Sequence, residues 1–165
     1  PDTNAESFQW FYFKDIDPPP NIMRTYRILN AGEASYQRAW EAYNVLASYD
    51  DQTWFRIPTR YDGSHLIWKH KSTHSSISFA FFVPYLEQRR KELINEANAA
   101  PHVAHKVLGS TIKQRNLDLL IFGDETRTSA KNVWVVSRQH AGEPMAEYAT
   151  EGLIHRLLDT SDQVA

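Results

Sequence analysis

From residue 8 to residue 84, short runs of aromatic and β-branched residues alternate with turn signals, and after Pro84 the pattern stops. Runs of this length, bounded by turn residues, suit strands half covered by a second layer. Six strands are expected, over residues 8–14, 22–29, 45–49, 53–58, 65–70 and 77–83. Between them stand Asp17-Pro18-Pro19-Pro20, Asn30-Ala31-Gly32, Asp50-Asp51 and Asp62-Gly63. Each suits a turn for its own reason, since Pro presets φ, Gly permits positive φ, and Asn or Asp bonds the local backbone. Such a series predicts an antiparallel β-sandwich over residues 1–84, incomplete at its start.

Residues 85–165 follow another pattern. Residues 85–99 carry Glu, Gln, Arg, Lys and Leu in a helix-favouring mix and end at Ala100-Pro101. Residues 105–108 and 117–122 then read as a hairpin. The continuous apolar run Val133-Trp134-Val135-Val136 predicts a strand covered on both faces by helices. A helix over residues 144–158 supplies one cover. Its expected inward stripe is Met145, Ala149, Leu153 and Leu157, widened by Ala146, Ile154 and Leu158, with Glu147, Thr150, Glu151 and Arg156 facing away. Pro144 fits the first helical position, where its missing N–H costs little. The expected class is therefore α+β or α/β: a β-sandwich followed by the first part of an α/β domain.

Composition narrows the partners. A formal net charge of −2 argues against nucleic acid or a membrane surface, because both polyanions attract basic patches. With no Cys there is neither a disulfide nor a thiolate metal ligand. No apolar run approaches a membrane span, and Pro1-Asp2-Thr3-Asn4 lacks the parts of a signal peptide. A cytoplasmic location is expected. The first residue is not Met, as in a trimmed or partial chain.

Candidate chemistry centres on Ser137-Arg138-Gln139-His140-Ala141-Gly142-Glu143-Pro144, which places a His and a Glu three apart at a strand-to-helix junction. Zinc takes both donors, and open α/β sheets put their sites at the carboxyl ends of strands. Chance alone yields His-x-x-Glu about 0.4 times in such a chain, so spacing decides little. The competing reading makes Glu143 a partner of the helix dipole and His140 an ordinary loop residue. His65, His70 and His74 form the densest His cluster, but a strand sends His65 and His70 to opposite faces. His102 and His105 are expected in solvent. His155 lies twelve residues past Glu143 on one helix, about 18 Å away, too far to share a metal. Trp10-Phe11-Tyr12-Phe13 and Phe79-Ala80-Phe81-Phe82 read mainly as core, with a sugar platform as the alternative.

The segment Ser137-Arg138-Gln139-His140-Ala141-Gly142-Glu143-Pro144-Met145-Ala146-Glu147 resembles the Arg-x-His-Pro-Gly-Glu motif of zinc metallocarboxypeptidases, in the cytosolic-carboxypeptidase-like branch. Phe8-Gln9-Trp10-Phe11-Tyr12-Phe13, Arg27-Ile28-Leu29-Asn30, Ser48-Tyr49-Asp50 and Phe79-Ala80-Phe81-Phe82-Val83-Pro84-Tyr85 are similar to the β-sandwich that precedes the catalytic domain in that branch. Gly109-Ser110-Thr111 with Leu117-Asp118-Leu119-Leu120 resembles its opening hairpin. The resemblance implies a hydrolase acting on peptide or protein C-termini, with His140 and Glu143 as two of three Zn²⁺ ligands. It also implies that the third ligand, the general base and the substrate-binding arginines lie beyond residue 165, so residues 1–165 alone should be inactive. Ala141 replaces the motif's Pro, which loosens the loop but removes no ligand atom. The alternative from another class is a non-catalytic binding module, or a degenerate homologue lacking the rest of the site.

Overall fold

A computed structural model describes residues 8–124, 126–127 and 131–161; the Pro1-Asp2-Thr3-Asn4 start lies outside them. The chain forms two compact units, Pro1–Pro84 with Arg138–Pro144, and Tyr85–Ser137 with Met145–Ala165.

Among the described residues, the first unit holds seven strands: β1 (Tyr12–Ile16), β2 (Met23–Ile28), β3 (Val45–Ser48), β4 (Phe55–Ile57), β5 (Thr59–Tyr61), β6 (Leu66–Lys71) and β7 (Ser76–Ala80). They build two antiparallel sheets, in the orders β1-β7-β3-β4 and β2-β6-β5. Alternation turns Val45, Ala47, Ile57, Ile77 and Phe79 of one sheet toward Leu66 and Trp68 of the other. The Phe79 ring lies 4.5 Å from Tyr26 and 5.4 Å from Trp68, centroid to centroid, so the two layers close on an aromatic core. Complete burial of Phe79 contributes about 1.5–3 kcal/mol.

The strand expected over residues 53–58 forms as β4 in the first sheet; Pro58 ends it, and the unexpected β5 follows directly in the second sheet. Proline offers no N–H to a ladder, so pairing stops there and the chain changes layers. Thr59 secures the corner by donating its N–H to Asn44 Oδ1 at 3.1 Å and accepting the Val45 N–H at 3.0 Å. At the other end of the sandwich, Asp17 and Asn21 take positive φ, 52° and 61°, on either side of the triproline turn. Their N–H groups reach Ser75 O and Ser72 O at 2.7 and 2.9 Å.

The second unit contains α1 (Glu87–Asn98), the hairpin β8 (Val103–Ser110) and β9 (Asn116–Phe122), and α2 (Pro144–Leu158) from Met145 onward. Leu93, Ala97 and Ile154 form its small core, with Val103, Leu120, Phe122 and Leu158 packed against it. The unit is mixed α and β with an antiparallel sheet, as the α+β reading anticipated. Two expectations fail within it. Val133-Trp134-Val135-Val136 is not a covered strand: it joins no sheet and its residues are 55–86% exposed. The run has strand-forming side chains, but no described segment pairs with its backbone. The α2 stripe is also rotated. Met145, Ala149 and Leu153 are exposed, whereas Thr150 and Glu151 are partly covered. Ile154 and Leu158 do face the core, and a cluster around Glu151 outweighs the remaining apolar positions in setting the helix face.

Candidate metal centre

Positive φ at Arg138, 47°, turns the chain away from Ser137. A non-glycine residue there costs about 1–2 kcal/mol. The Arg138 guanidinium reaches the Ala141 carbonyl at 3.4 Å, and the Glu143 N–H closes a turn on the His140 carbonyl at 3.1 Å. Pro144 follows as the first residue of α2 and is fully buried, where its ring needs no backbone partner.

This turn brings the two expected side chains together. His140 Nδ1 lies 3.1 Å from Glu143 Oε1, and the His140 backbone N–H approaches Oε2 at 3.3 Å. The side chains are 66% and 47% exposed, so their donor atoms open to solvent. An ionised carboxylate only accepts, which makes Nδ1 the proton donor in this contact. A cation binding both groups would displace that proton, because imidazole ligates through a free lone pair. One nitrogen and one carboxylate fit zinc, but a catalytic zinc takes three protein ligands. Among the described residues, no three His, Asp or Glu side chains gather as a metal site requires.

The other histidines have separate roles. His65 sits by Asp62 in its turn at 3.4 Å, while His70 Nε2 meets Tyr49 Oη at 2.9 Å. His74 stacks on the Tyr49 ring with centroids 4.0 Å apart. His70 is half-buried, and desolvation lowers its pKa. His102 and His105 are not free in solvent as expected. His102 Nε2 lies 3.2 Å from the Leu157 carbonyl, and His105 Nε2 lies 2.9 Å from Asp118 Oδ1 across the hairpin. Arg90 donates to the other Asp118 oxygen and to Glu87. Burial pushes the Asp118 carboxyl up, but hydrogen bonds from His105 and Arg90 outweigh it and leave the pKa below the ordinary carboxylate value.

Sequence reasoning missed which segment lies near the turn. A first side-chain carbon placed on Gly142 would lie 3.5 Å from Gln9 Cβ and 3.9 Å from the Trp10 backbone nitrogen. No local spacing links positions 9 and 142, so only folding reveals that they are neighbours. The aromatic runs resolve as core in part: Phe11 packs on Trp40, Trp68 and Phe81, and Phe79 is wholly buried, while Tyr12 and Phe13 are exposed at the β1 edge.

No described helix is long and apolar enough to cross a membrane. Comparison with known proteins gives a family. Residues 1–82 match the cytosolic carboxypeptidase N-terminal domain, and residues 90–165 match zinc carboxypeptidase. An uncharacterized protein of Zymomonas mobilis is 32% identical over 164 residues, 99% of this chain and 42% of that protein. A Shewanella denitrificans protein assigned as carboxypeptidase A has a crystal structure that superposes with a TM-score of 0.90 at 42% identity, covering 98% of this chain and 42% of that one. A metallo-carboxypeptidase from Pseudomonas aeruginosa, solved with (2-guanidinoethylmercapto)succinic acid, gives a TM-score of 0.87 at 35% identity over 96% of this chain and 42% of that one. The chain thus spans under half the length of these relatives. The two family matches together take in nearly all of its residues, and the chain belongs to the zinc carboxypeptidases whose N-terminal domain is of the cytosolic carboxypeptidase type.

Proposed function

We propose that this chain is the N-terminal portion of a zinc-dependent metallocarboxypeptidase that hydrolyses C-terminal peptide bonds, with His140 and Glu143 as two of three zinc ligands. Residues 1–84 are its β-sandwich domain and residues 85–165 the start of its catalytic domain. The observation that carries the reading is the convergence of His140 Nδ1 and Glu143 Oε1 at 3.1 Å on an exposed turn. The family match and the donor chemistry support it.

To hold zinc, His140 would present a neutral imidazole nitrogen, with its ring proton on the other nitrogen, and Glu143 would offer carboxylate oxygen from the residue before α2. Zinc, when bound, polarises the scissile carbonyl and lowers the pKa of its water. The third ligand, a general-base Glu and arginines for the terminal carboxylate belong to chain outside residues 1–165. The planar carboxylate of a peptide or protein C-terminus suits a bidentate Arg partner. We place the enzyme in the cytoplasm, acting on peptide or protein C-termini rather than on nucleic acid or membranes.

The test is metal content and turnover of the full-length protein. Wild type is expected to retain one zinc through dialysis at neutral pH and to release C-terminal residues, and His140→Ala to lose both properties. Full activity in His140→Ala would remove that residue from the site. The isolated 165-residue segment is expected to hold zinc weakly and to release nothing; stoichiometric retention there would contradict the proposed division of the ligands.

A further inference from the structure

We propose that Arg138 is a positioning residue for the metal-binding turn, its guanidinium tying the start of the turn to the Ala141 carbonyl, a role that rests on the zinc ligation by His140 and Glu143 proposed for this chain. Arg138 takes a φ of 47°, a region that glycine enters freely and other L-residues enter at a cost. Backbone strain of this kind persists only where its surroundings impose it, and it gathers at functional sites. Glycine at 138 would hold the same backbone without strain, so what arginine adds is its side chain. Its Nη2 donates to the Ala141 carbonyl at 3.4 Å, bridging over the residue that carries the imidazole.

The bonds within the turn divide by what zinc would do to them. His140 Nδ1 meets Glu143 Oε1 at 3.1 Å and the His140 N–H meets Oε2 at 3.3 Å, so both use the carboxylate that would turn to the metal. The Glu143 N–H bond to the His140 carbonyl, 3.1 Å, and the Arg138 bond to the Ala141 carbonyl use no side-chain atom of either ligand. These two can remain when metal is bound. Both ligand side chains are largely open to solvent, so the backbone that carries them sets their placement. The Glu143 N–H fixes one carbonyl of that backbone and Arg138 fixes the next. Metal ligands tolerate displacements of only about 0.5 Å, and groups behind them are worth roughly 10–100-fold in affinity. Arg138 holds backbone and not a ligand atom, through a long and exposed bond, which puts its share at the low end of that range.

The test measures zinc affinity of the full-length protein by competition with a chromophoric chelator, alongside kcat, KM and the urea midpoint. Arg138→Gly keeps the φ, relieves its strain and removes the guanidinium, so the fold is spared while the tie is lost. An affinity loss of about tenfold is expected, with kcat lowered and KM and the urea midpoint little changed. The sign separates positioning from charge, since a guanidinium repels Zn²⁺ and its removal by itself would tighten binding. Added ethylguanidinium, far below denaturing concentrations, should restore part of the affinity of Arg138→Gly and leave wild type unaffected. Arg138→Lys, with a point charge in place of the planar fork, should fall between the two. Unchanged or tighter zinc binding in Arg138→Gly would overturn the proposal, as would a loss that ethylguanidinium fails to restore or that comes with a lowered urea midpoint. A rise confined to KM would do the same, making Arg138 a substrate contact. His140→Ala serves as the control: zinc retention there defeats the ligand assignment itself, whereas zinc loss there with wild-type affinity in Arg138→Gly defeats only the role of Arg138.

Discussion

Glu151 on α2 accepts two hydrogen bonds from one guanidinium, Arg89 Nε at 2.7 Å and Nη2 at 2.6 Å. Tyr85 Oη adds a third at 2.7 Å. The Arg89 guanidinium also lies 4.9 Å from the centre of the Tyr148 ring, which meets Tyr85 edge-on at 5.0 Å. A carboxylate only 13% exposed needs such partners, and satisfying it turns the α2 face that carries Glu151 toward α1.

Replacing Arg89 by Leu should cost about 1–2 kcal/mol, a figure held down because half of the guanidinium side is solvated. Its hydrogen bonds hold the Glu151 carboxyl below the ordinary carboxylate value. A group depressed on folding stabilises above its unfolded pKa and loses that contribution as pH falls through the folded one. The stability gap between wild type and Glu151→Gln should therefore be full near neutrality and shrink below about pH 4–5. Urea unfolding across that range checks it; a gap independent of pH would show that the charge is immaterial.

Trp68 is buried in the sandwich with its indole N–H meeting no acceptor among the described residues. Trp68→Phe sacrifices volume but also removes this unsatisfied donor, so it should destabilise by less than about 2 kcal/mol, against about 3–5 for Trp68→Ala. Equal losses in chemical denaturation would mean that the N–H is satisfied in solution.

Two glycines should respond in opposite ways. Any carbon added to Gly32 would lie 2.9 Å from both the Gly63 carbonyl oxygen and Ser64 Cα, so Gly32→Ala should cost about 1–3 kcal/mol as the backbone gives way. Gly152, inside α2 with open space around it, should accept Ala with a gain of about 0.5–1 kcal/mol. Thermal unfolding of the two variants gives the signs directly.

The exposed Val133-Trp134-Val135-Val136 run makes the isolated 165-residue segment prone to self-association. Light scattering should rise with concentration, and a Trp134→Ser, Val136→Ser double variant should reduce it. Identical scattering by the variant would locate the sticky surface elsewhere.

Much of this protein is written in short-range spacing. Asp62-Gly63 marks a turn that uses positive φ at Gly63, 95°, because Gly alone reaches it freely. Pro144 opens α2 where a missing N–H is harmless, and three residues of separation let His140 and Glu143 meet across one turn. Bond geometry and backbone sterics dictate such features, and they depend on neighbours in the chain. Which surfaces meet is another matter. Pro58 passes the chain between sheets, Glu151 turns α2 away from its apolar stripe, and Val133-Trp134-Val135-Val136 stays uncovered despite its composition. Apolar periodicity says what a face would gain by burial, but only a partner can supply that burial. The meeting of His105 with Asp118 belongs to the tertiary structure, because contacts between distant positions depend on how the intervening chain packs.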